Sequence, residues 1–405
     1  MLAWLDVVVV VCTLFYALVI AWLCTGIVRG RHRRPSNDGT PSVSVIVAAR
    51  NEADHITSCV SALQQQDYPG PLEVIVVDDR STDGTGALVE AVARESTSVH
   101  KRFDLSVVYA PTDRRYACPK KSALAAGIEA SRGELLLLTD ADCAPPATWV
   151  AALVRNFTDD VGLVAGFACV EPLDQHRHRV LAVDNLGVSA MAEGSLGMGL
   201  PLSCTGRNLA YRRSLWDSVG GFDDIGHMIS GDDVYFLRLV AARTETQAGK
   251  RPDHGLENRI VYCADPASVV TGPARRSNFR QIIEQKLRHA SKAGHYQGGA
   301  RWLGMAVYGY HAALLAGLLQ AALGEGRHGV ILAAWIIRWV MDFVLIAYFA
   351  PRGRRDRVLL TFLPIVEALY IPYVLFFVPL GRSGRFRWKQ AEPPNLSQPL
   401  PTGND

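Results

Sequence analysis

The sequence predicts an α/β domain with a mostly parallel, doubly wound sheet, and transmembrane helices on both sides of it. Two observations carry this prediction. Short strand-like apolar runs alternate with helical stretches between Pro41 and Gly299, and long apolar segments precede and follow that region. Alternating strands and helices are typical of a parallel sheet with helices on both faces. The 405 residues are enough for two or three domains.

The first apolar segment, Val7–Val28, contains no charged residue. Crossing a bilayer takes roughly 20 residues, so this segment is long enough. A cleaved signal peptide carries its positive charges ahead of the apolar stretch, whereas here Asp6 precedes it and the arginines follow it. We therefore predict an uncleaved anchor over residues 1–28, with the basic side in the cytoplasm. The arginines are Arg29, Arg31, Arg33 and Arg34.

The region 302–380 contains three more apolar segments and is predicted to be membrane-embedded in two to three of them. They are Trp302–Leu323, Gly329–Ala350 and Val358–Leu380. Basic stretches flank the last segment on both sides, which conflicts with a single crossing. Three prolines interrupt it, so a broken, re-entrant or interfacial element is the alternative. The polar, proline-rich tail 390–405 is predicted to be disordered.

Charged residues inside these C-terminal segments are costly in a bilayer. Arg338 and Asp342 are four residues apart, which predicts an ion pair on one helix face. The alternative is a contact with a lipid headgroup. Glu367 is the acidic residue of the last segment and raises the same two alternatives.

Four strands are predicted inside the region 41–299, and three of them end in polar residues. The strands are Val43–Ala49, Leu72–Asp79, Leu105–Ala110 and Glu134–Asp140, and the predicted helices between them are Glu52–Gln66, Gly86–Glu95 and Lys120–Ser131. Ligands of doubly wound sheets bind beyond the carboxyl ends of the strands. We therefore expect those polar ends to meet in one crevice.

Two carboxylates, Asp140 and Asp142, follow the leucine-rich strand one residue apart. Such carboxylates repel each other unless a cation lies between them. Mg²⁺ or Mn²⁺ takes one or two carboxylates together with substrate phosphates. The chain has no G-x-x-x-x-G-K-[ST] motif, and no G-x-G-x-x-G follows the first strand. The pattern therefore predicts a metal–diphosphate site, with Lys120 as a nearby cation.

A further acidic pair, Asp232 and Asp233, opens a predicted helix in "SGDDVYFLRLV". One aspartate would be enough to cap the helix. The pair favours a second carboxylate that faces the cleft, as a general base requires.

Charge and cysteine content argue against a nucleic-acid partner and against a zinc site. The net charge of +3 is too small to indicate nucleic acid as a partner. The eight cysteines are scattered and form no C-x-x-C pair, so a zinc site is not expected. Free cysteines fit a reduced, cytoplasmic setting for the α/β domain.

Six segments in this order resemble the family-2 glycosyltransferases, which have the GT-A nucleotide-diphospho-sugar fold. The resemblance covers about Pro41 to Lys292, and the membrane segments make the chain similar to the branch with cellulose, hyaluronan and ceramide-glucosylating enzymes. The segments are "VSVIVAARNEADHI", "LEVIVVDDRSTDGT", "KKSALAAGIEASRGELLLLTDADC", "TGRNLAYRRSLWDSVGGFDD", "SGDDVYFLRLV" and "QKLRHASK".

The resemblance implies roles for the residues at the donor site. Asp79 contacts a uracil-type base, with Ala48 and Glu52 lining the same pocket. Lys120 lies near the diphosphate, and Asp140 and Asp142 bind the metal, Mg²⁺ or Mn²⁺.

The resemblance also implies the catalytic residues. Asp233 is the base, Asp232 supports it, and Gln285 and Arg288 belong to a Q-x-x-R-W element that closes over diphosphate and acceptor. His289 stands where that element has tryptophan. This departure argues against processive chain growth, because the tryptophan resembles a stacking platform for a polymer.

The resulting hypothesis is an inverting, non-processive glycosyltransferase that is integral to a bacterial inner (plasma) membrane. Its domain 41–299 faces the cytoplasm, its donor is a nucleotide-diphospho-sugar of the UDP-sugar type, and its acceptor is a lipid or membrane-associated molecule. One alternative is a processive polysaccharide synthase. The other is a non-catalytic sugar-nucleotide-binding subunit, which the presence of Asp79, Asp140, Asp142, Asp233 and Arg288 disfavours.

Overall fold

The computed structural model describes residues 2–33, 37–99, 104–171, 173–247, 259–274, 279–292, 296, 298–324, 328–350 and 358–382. The tail 390–405 and the basic stretch 351–357 lie outside the described residues, so the predictions made for them are not addressed by the structure.

A seven-stranded sheet in the order β3-β2-β1-β4-β7-β5-β8 forms the centre of the α/β domain. The pairs β3-β2, β2-β1 and β1-β4 are parallel, which confirms the four predicted strands and the doubly wound half of the sheet. β7 runs antiparallel to both of its neighbours, and β6 and β9 form a separate two-stranded sheet. The strands are β1 Val43–Ala49, β2 Leu72–Asp78, β3 Asp104–Tyr109, β4 Leu135–Asp140, β5 Val161–Gly166, β6 Ala168–Glu171, β7 Leu209–Arg212, β8 Arg259–Cys263 and β9 Val270–Pro273.

The helices of the α/β domain cover both faces of this sheet. β1 shows why the strands are apolar throughout: Val45 and Val47 pack into one core cluster, and Ile46 packs into the other. The helices are α2 Ile56–Gln64, α3 Thr85–Val99, α4 Pro119–Ala130, α5 Trp149–Val154, α6 His176–Gly197, α7 Arg213–Val219, α8 Val234–Gln247 and α9 Phe279–Ser291.

The helix predicted from Glu52 begins four residues later, at Ile56. The reason is that the loop after β2 binds the backbone before it. The N–H of Glu52 donates to Thr85 Oγ1 at 2.9 Å, and the N–H of Ala53 donates to Asp83 Oδ2 at 2.9 Å. Hydroxyl and carboxylate groups of this kind compete with helical hydrogen bonds.

Four helical segments of the described chain have the length and composition needed to cross a membrane. They comprise α1 Leu2–His32, α10 Gly298–Ala322, α11 His328–Phe349 and the last apolar segment, Leu360–Gly381. α1 packs closely on α6 of the α/β domain. A Cβ added at Gly26 would lie 1.9 Å from the carbonyl oxygen of Gly194, and small residues of this kind let two helices approach.

The last apolar segment is helical throughout, but its hydrogen-bonding pattern changes near its prolines. It contains α12 Leu363–Pro372, a π-helical turn Tyr373–Phe377 and a short α13 Val378–Arg382. Both of its ends contact the α/β domain. The ring of Phe362 lies 5.7 Å from that of His176 on α6, and Gly381 packs against the backbone of Ser291 on α9.

The ion pair predicted inside α11 is present and extends further. Arg338 Nε lies 3.8 Å from Asp342 Oδ2, and Arg338 Nη2 lies 2.6 Å from Glu367 Oε2 on α12. Tyr16 of α1 donates a hydrogen bond to Asp342 Oδ1 at 2.6 Å. This polar cluster therefore joins three apolar segments.

Candidate active site

The polar ends of the parallel strands lie side by side at one edge of the sheet. Ala48 of β1 is aligned with Asp140 of β4 and with Val77 of β2, and Asp79 follows the end of β2 directly. The expected meeting of the strand ends is therefore observed. The site has two parts, one around Asp79 and one around Asp140.

Positive charge surrounds the buried carboxylate of Asp79. Arg80 donates to its Oδ1 from Nε at 3.0 Å and from Nη2 at 2.7 Å, and Arg50 donates to its Oδ2 at 3.4 Å. Arg114 is close as well. Desolvation is the main cause that lowers its pKa, and the nearby charge of Arg80 lowers it further. Three guanidinium groups around one carboxylate leave an excess of positive charge, which suits an anionic ligand.

Hydrogen bonds join the loop after β1 to the loop after β2, beside Asp79. Asn51, at a positive φ of 54°, accepts the N–H of Thr82 at 2.8 Å and donates its own N–H to Ser81 Oγ at 3.0 Å. Arg80 also has a positive φ, 56°. Backbone strain of this kind persists where the surrounding structure holds it. These contacts hold Glu52, the third residue predicted for this pocket, at the end of β1.

The part around Asp140 brings together residues from three elements. Lys120 Nζ, on the first turn of α4, lies 2.6 Å from Asp140 Oδ1 and 3.2 Å from Asp232 Oδ2. Desolvation alone would lower the pKa of Lys120, but the two carboxylates outweigh it and hold that pKa well above its usual value. The ammonium therefore stays charged between them.

Asp140 and Asp142 both lie close to the thiol of Cys59, because the charges of both act on its pKa. Burial raises the pKa of Cys59 to about 12, and the charges of Asp142 and Asp140 contribute in that order. Among the described residues, no three His, Cys, Asp or Glu side chains form a metal cluster. Two carboxylate oxygens fit a hard divalent cation whose other ligands are substrate phosphates and water.

Asp233 is held by three donors at the start of α8. Its Oδ1 accepts from the N–H of Val234 at 2.7 Å and from Lys292 Nζ at 2.9 Å, and its Oδ2 accepts from the N–H of Gly206 at 3.2 Å. Desolvation would raise the pKa of Asp233, but Lys292 and the Val234 N–H overcome it and hold the pKa well below the usual range. The carboxylate is therefore ionised.

Of the two residues predicted on α9, the structure brings Arg288 to the site. Desolvation lowers the pKa of Arg288, and the nearby charges of Asp232 and Asp233 oppose that shift. Gln285 and His289 have exposed side chains on the same helix.

Two residues at the site were not identified from the sequence. Arg207, just before β7, donates from Nη2 to Asn185 Oδ1 at 3.3 Å, and its charge helps to lower the pKa of Asp140. Lys292 contacts Asp233, as described above. A signal for Lys292 existed, because it lies four residues after Arg288 and so on the same helix face. For Arg207 the only signal was its place in the quoted segment "TGRNLAY".

Comparison with known proteins shows similarity to glycosyltransferases. Residues 44–219 match the family described as Glycosyl transferase family 2. Glycosyltransferase AglE of Haloferax volcanii is 30% identical over 205 residues, which cover 49% of this chain and 60% of that protein. An N-acetylglucosaminyltransferase of Rhizobium meliloti is 34% identical over 128 residues, which cover 31% of this chain and 28% of that protein. The chain thus spans less than two thirds of either relative.

A solved structure has the same fold over nearly the whole chain. It is the mannosyltransferase PcManGT from Pyrobaculum calidifontis, in complex with GDP-Man and Mn²⁺. The TM-score is 0.51 at 21% sequence identity, and the match covers 92% of this chain and 99% of the mannosyltransferase. Residues 44–219 of this chain are therefore similar to glycosyl transferase family 2, and the α/β domain has the GT-A fold.

Proposed function

We propose that the chain transfers one sugar from a nucleotide-diphospho-sugar to a lipid-like, membrane-associated acceptor, with inversion at the anomeric carbon. One observation carries the proposal. An ionised carboxylate, Asp233, lies beside a cluster of cations and carboxylates, Lys120, Asp140 and Asp232, at the carboxyl edge of the sheet.

The two parts of the site match the two ends of such a donor. The base and ribose would lie at the end of β2, where Asp79 is buried among arginines. The diphosphate would lie between Lys120 and Arg288. The GDP-Man in the mannosyltransferase supports a nucleotide-sugar donor, so we test GDP-sugars beside the UDP-sugars that the sequence favours.

Asp140 and Asp142 would hold a divalent cation, Mg²⁺ or Mn²⁺. When bound, the cation supplies positive charge that stabilises the leaving nucleoside diphosphate. The Mn²⁺ of the mannosyltransferase supports this assignment. Lys120 and Arg288 of this chain add fixed positive charge at the same place.

Asp233 would act as the general base. Its carboxylate, already ionised, accepts the proton of the acceptor hydroxyl while that oxygen attacks the anomeric carbon. The attack comes from the face opposite the departing diphosphate and therefore inverts the configuration. Asp232 would hold Lys120 in place, because its Oδ2 lies 3.2 Å from Lys120 Nζ.

The apolar helices support a lipid-like acceptor. Helix α9, which carries Arg288, packs against Gly381 in the last apolar segment, so the catalytic edge would face the bilayer. A single transfer is favoured over processive growth because His289 replaces the tryptophan of the Q-x-x-R-W element.

We further propose that the α/β domain lies in the cytoplasm of a bacterium, at the inner membrane. The arginines at the end of α1 favour that side. Both ends of the last apolar segment would lie on that same side, because both contact the α/β domain.

A transfer assay tests the proposal. The full-length protein in lipid nanodiscs, supplied with bacterial lipid extract, receives labelled UDP- and GDP-sugars with Mg²⁺ or Mn²⁺. We expect one donor to give a metal-dependent, lipid-extractable product that carries a single sugar by mass spectrometry. A water-soluble polymer would indicate the processive alternative. Donor binding by calorimetry without transfer would indicate a non-catalytic subunit, and neither binding nor transfer would contradict the proposal altogether.

A further inference from the structure

Lys292 contacts the carboxylate that the proposed reaction needs. It lies just after the end of α9, is mostly buried, and donates from Nζ to Asp233 Oδ1 at 2.9 Å. The N–H of Val234 donates to the same oxygen at 2.7 Å. Oδ1 is therefore occupied by two donors.

The second oxygen of Asp233 has a different environment. Oδ2 accepts from the N–H of Gly206 at 3.2 Å. An ionised carboxylate has about four acceptor positions, two on each oxygen. The donors found among the described residues fill three of them, so the position that remains for an acceptor hydroxyl is on Oδ2.

The residues just before Lys292 pack against the last apolar segment. Gly381 lies so close to the end of α9 that an added Cβ would be 2.7 Å from the backbone nitrogen of Ser291 and 3.0 Å from the carbonyl oxygen of Leu287. These are backbone atoms of a helix and have little freedom to move. Any larger residue at 381 must therefore shift the end of α9.

A second contact joins Lys292 to the helix that begins after the base. Arg238, on α8, lies 3.5 Å through Nη1 from the carbonyl oxygen of Lys292. Its guanidinium group stacks on the ring of Tyr296, 3.7 Å from the ring centre. The backbone of Lys292 is thus held by α8, and its preceding residue is held by the last apolar segment.

We propose that Lys292 is a positioning residue for Asp233: it holds Oδ1 so that Oδ2 faces the acceptor hydroxyl, and the last apolar segment sets its place through Gly381. The proposal rests on Asp233 being the base of the proposed function. It makes correct docking of a membrane segment a condition for catalysis.

The proton and electron movements are as follows. The hydroxyl proton moves to Asp233 Oδ2, and the hydroxyl oxygen forms the new bond to the anomeric carbon. The bond from that carbon to the diphosphate oxygen breaks, and its electron pair leaves with the nucleoside diphosphate. Lys292 takes no part in the proton transfer itself.

The test uses full-length variants in nanodiscs. Lys292→Met should lower kcat by about 10- to 100-fold, because misplacing a reacting group by about 1 Å costs up to 10²-fold. Donor Kd by calorimetry and donor KM should stay within about 3-fold of wild type. Lys292→Arg should recover most of the lost kcat, since it restores the donor to Oδ1.

Arg243→Met is the control, because Arg243 lies on α8, which Asp233 precedes, but pairs with Asp224. It should retain kcat within about 3-fold. Gly381→Ala and the more severe Gly381→Val should lower kcat as Lys292→Met does. A Gly381→Ala/Lys292→Met double variant should lose less than the product of the single effects, since both changes act on one contact.

Four results would overturn the proposal. They are an unchanged kcat in Lys292→Met, an equal loss in Arg243→Met, a donor Kd that weakens as much as kcat falls, and no recovery in Lys292→Arg. The donor Kd also reports whether each variant is folded. Failure of the base assignment on which the proposal rests is separate: Asp233→Asn would then retain full transfer.

Discussion

Arg31 donates two hydrogen bonds to the buried carboxylate of Glu193, from Nε to Oε1 at 2.6 Å and from Nη2 to Oε2 at 3.0 Å. The same guanidinium donates to the carbonyl oxygens of Tyr348 and Phe349 at 2.9 and 3.0 Å. One side chain therefore joins α1, the α/β-domain helix α6 and the end of α11. α6 also carries Asp184, which pairs with Lys286 of α9, so the apolar helices and the site share a continuous set of contacts.

Glu193→Ala should destabilise the protein, because it leaves the guanidinium of Arg31 without its carboxylate. Losing a buried, charged hydrogen-bond partner costs about 1–3 kcal/mol, and the partial exposure of Arg31 favours the lower half of that range. Thermal unfolding of the purified protein in detergent measures the change. Arg29→Ala, an exposed neighbour, should change stability by less than about 0.5 kcal/mol. Equal effects of the two variants would show that the contact contributes nothing of its own.

Asp142→Asn should abolish most of the metal-dependent part of donor binding, because it removes one charged oxygen ligand and keeps the shape of the side chain. Calorimetry with the preferred nucleotide sugar, with and without Mn²⁺, measures this. Binding without metal should be nearly the same as in wild type. An unchanged metal-dependent affinity would exclude Asp142 as a ligand.

Single cysteines should report the arrangement of the apolar segments. Each variant carries one introduced cysteine in a background without the native cysteines. Cysteines at Thr361 and Leu380, the two ends of the last segment, should both react from the cytoplasmic side, and so should a cysteine at Arg31. Leu323, at the end of α10, should react from the outside. The reason is that both ends of the last segment contact the α/β domain. Labelling of Leu380→Cys from outside would mean that this segment crosses the membrane.

As the pH is lowered, kcat should begin to fall only below the ordinary aspartate pKa of about 3.9. We call this fall the acidic limb of the pH profile. Lys292 and the Val234 N–H lower the pKa of Asp233 in the folded protein, so the carboxylate is ionised above that lowered value and gains its proton only as pH falls through it. Its contribution to stability is lost in the same direction. Lys292→Met should move the limb to higher pH. A wild-type limb near pH 6, with donor binding intact, would indicate that another group titrates.

The sequence predicted the parts of the site that lie on regular strands. Asp79 and Asp140 follow apolar runs that are buried on both faces, and the period of those runs determines where the side chains emerge. Helix α2 begins later than predicted because Thr85 and Asp83, at least 30 residues away, accept hydrogen bonds from the backbone of Glu52 and Ala53. A local pattern contains no information about such a contact.

Contacts between distant elements explain the rest of what was missed. Arg207 reaches the site only because antiparallel β7 inserts between β4 and β5, a pairing that no period in the sequence indicates. Lys292 contacts Asp233 although the two residues lie 59 positions apart in the sequence. The buried contact between Arg31 and Glu193 depends on the close approach of α1 and α6 at Gly26 and Gly194, which is a tertiary feature as well.

The central claim is that Asp233, and not its neighbour, accepts the acceptor's proton. Transfer by Asp233→Asn, measured against Asp232→Asn with the same labelled donor and lipid acceptor, tests it most directly. Asp233→Asn should lower kcat by about 10²- to 10⁴-fold, or roughly 3–5 kcal/mol of barrier, while donor affinity stays nearly constant. Asp232→Asn should cost less, because Asp232 acts through Lys120. An active Asp233→Asn beside an inactive Asp232→Asn would contradict the account and assign the base to Asp232.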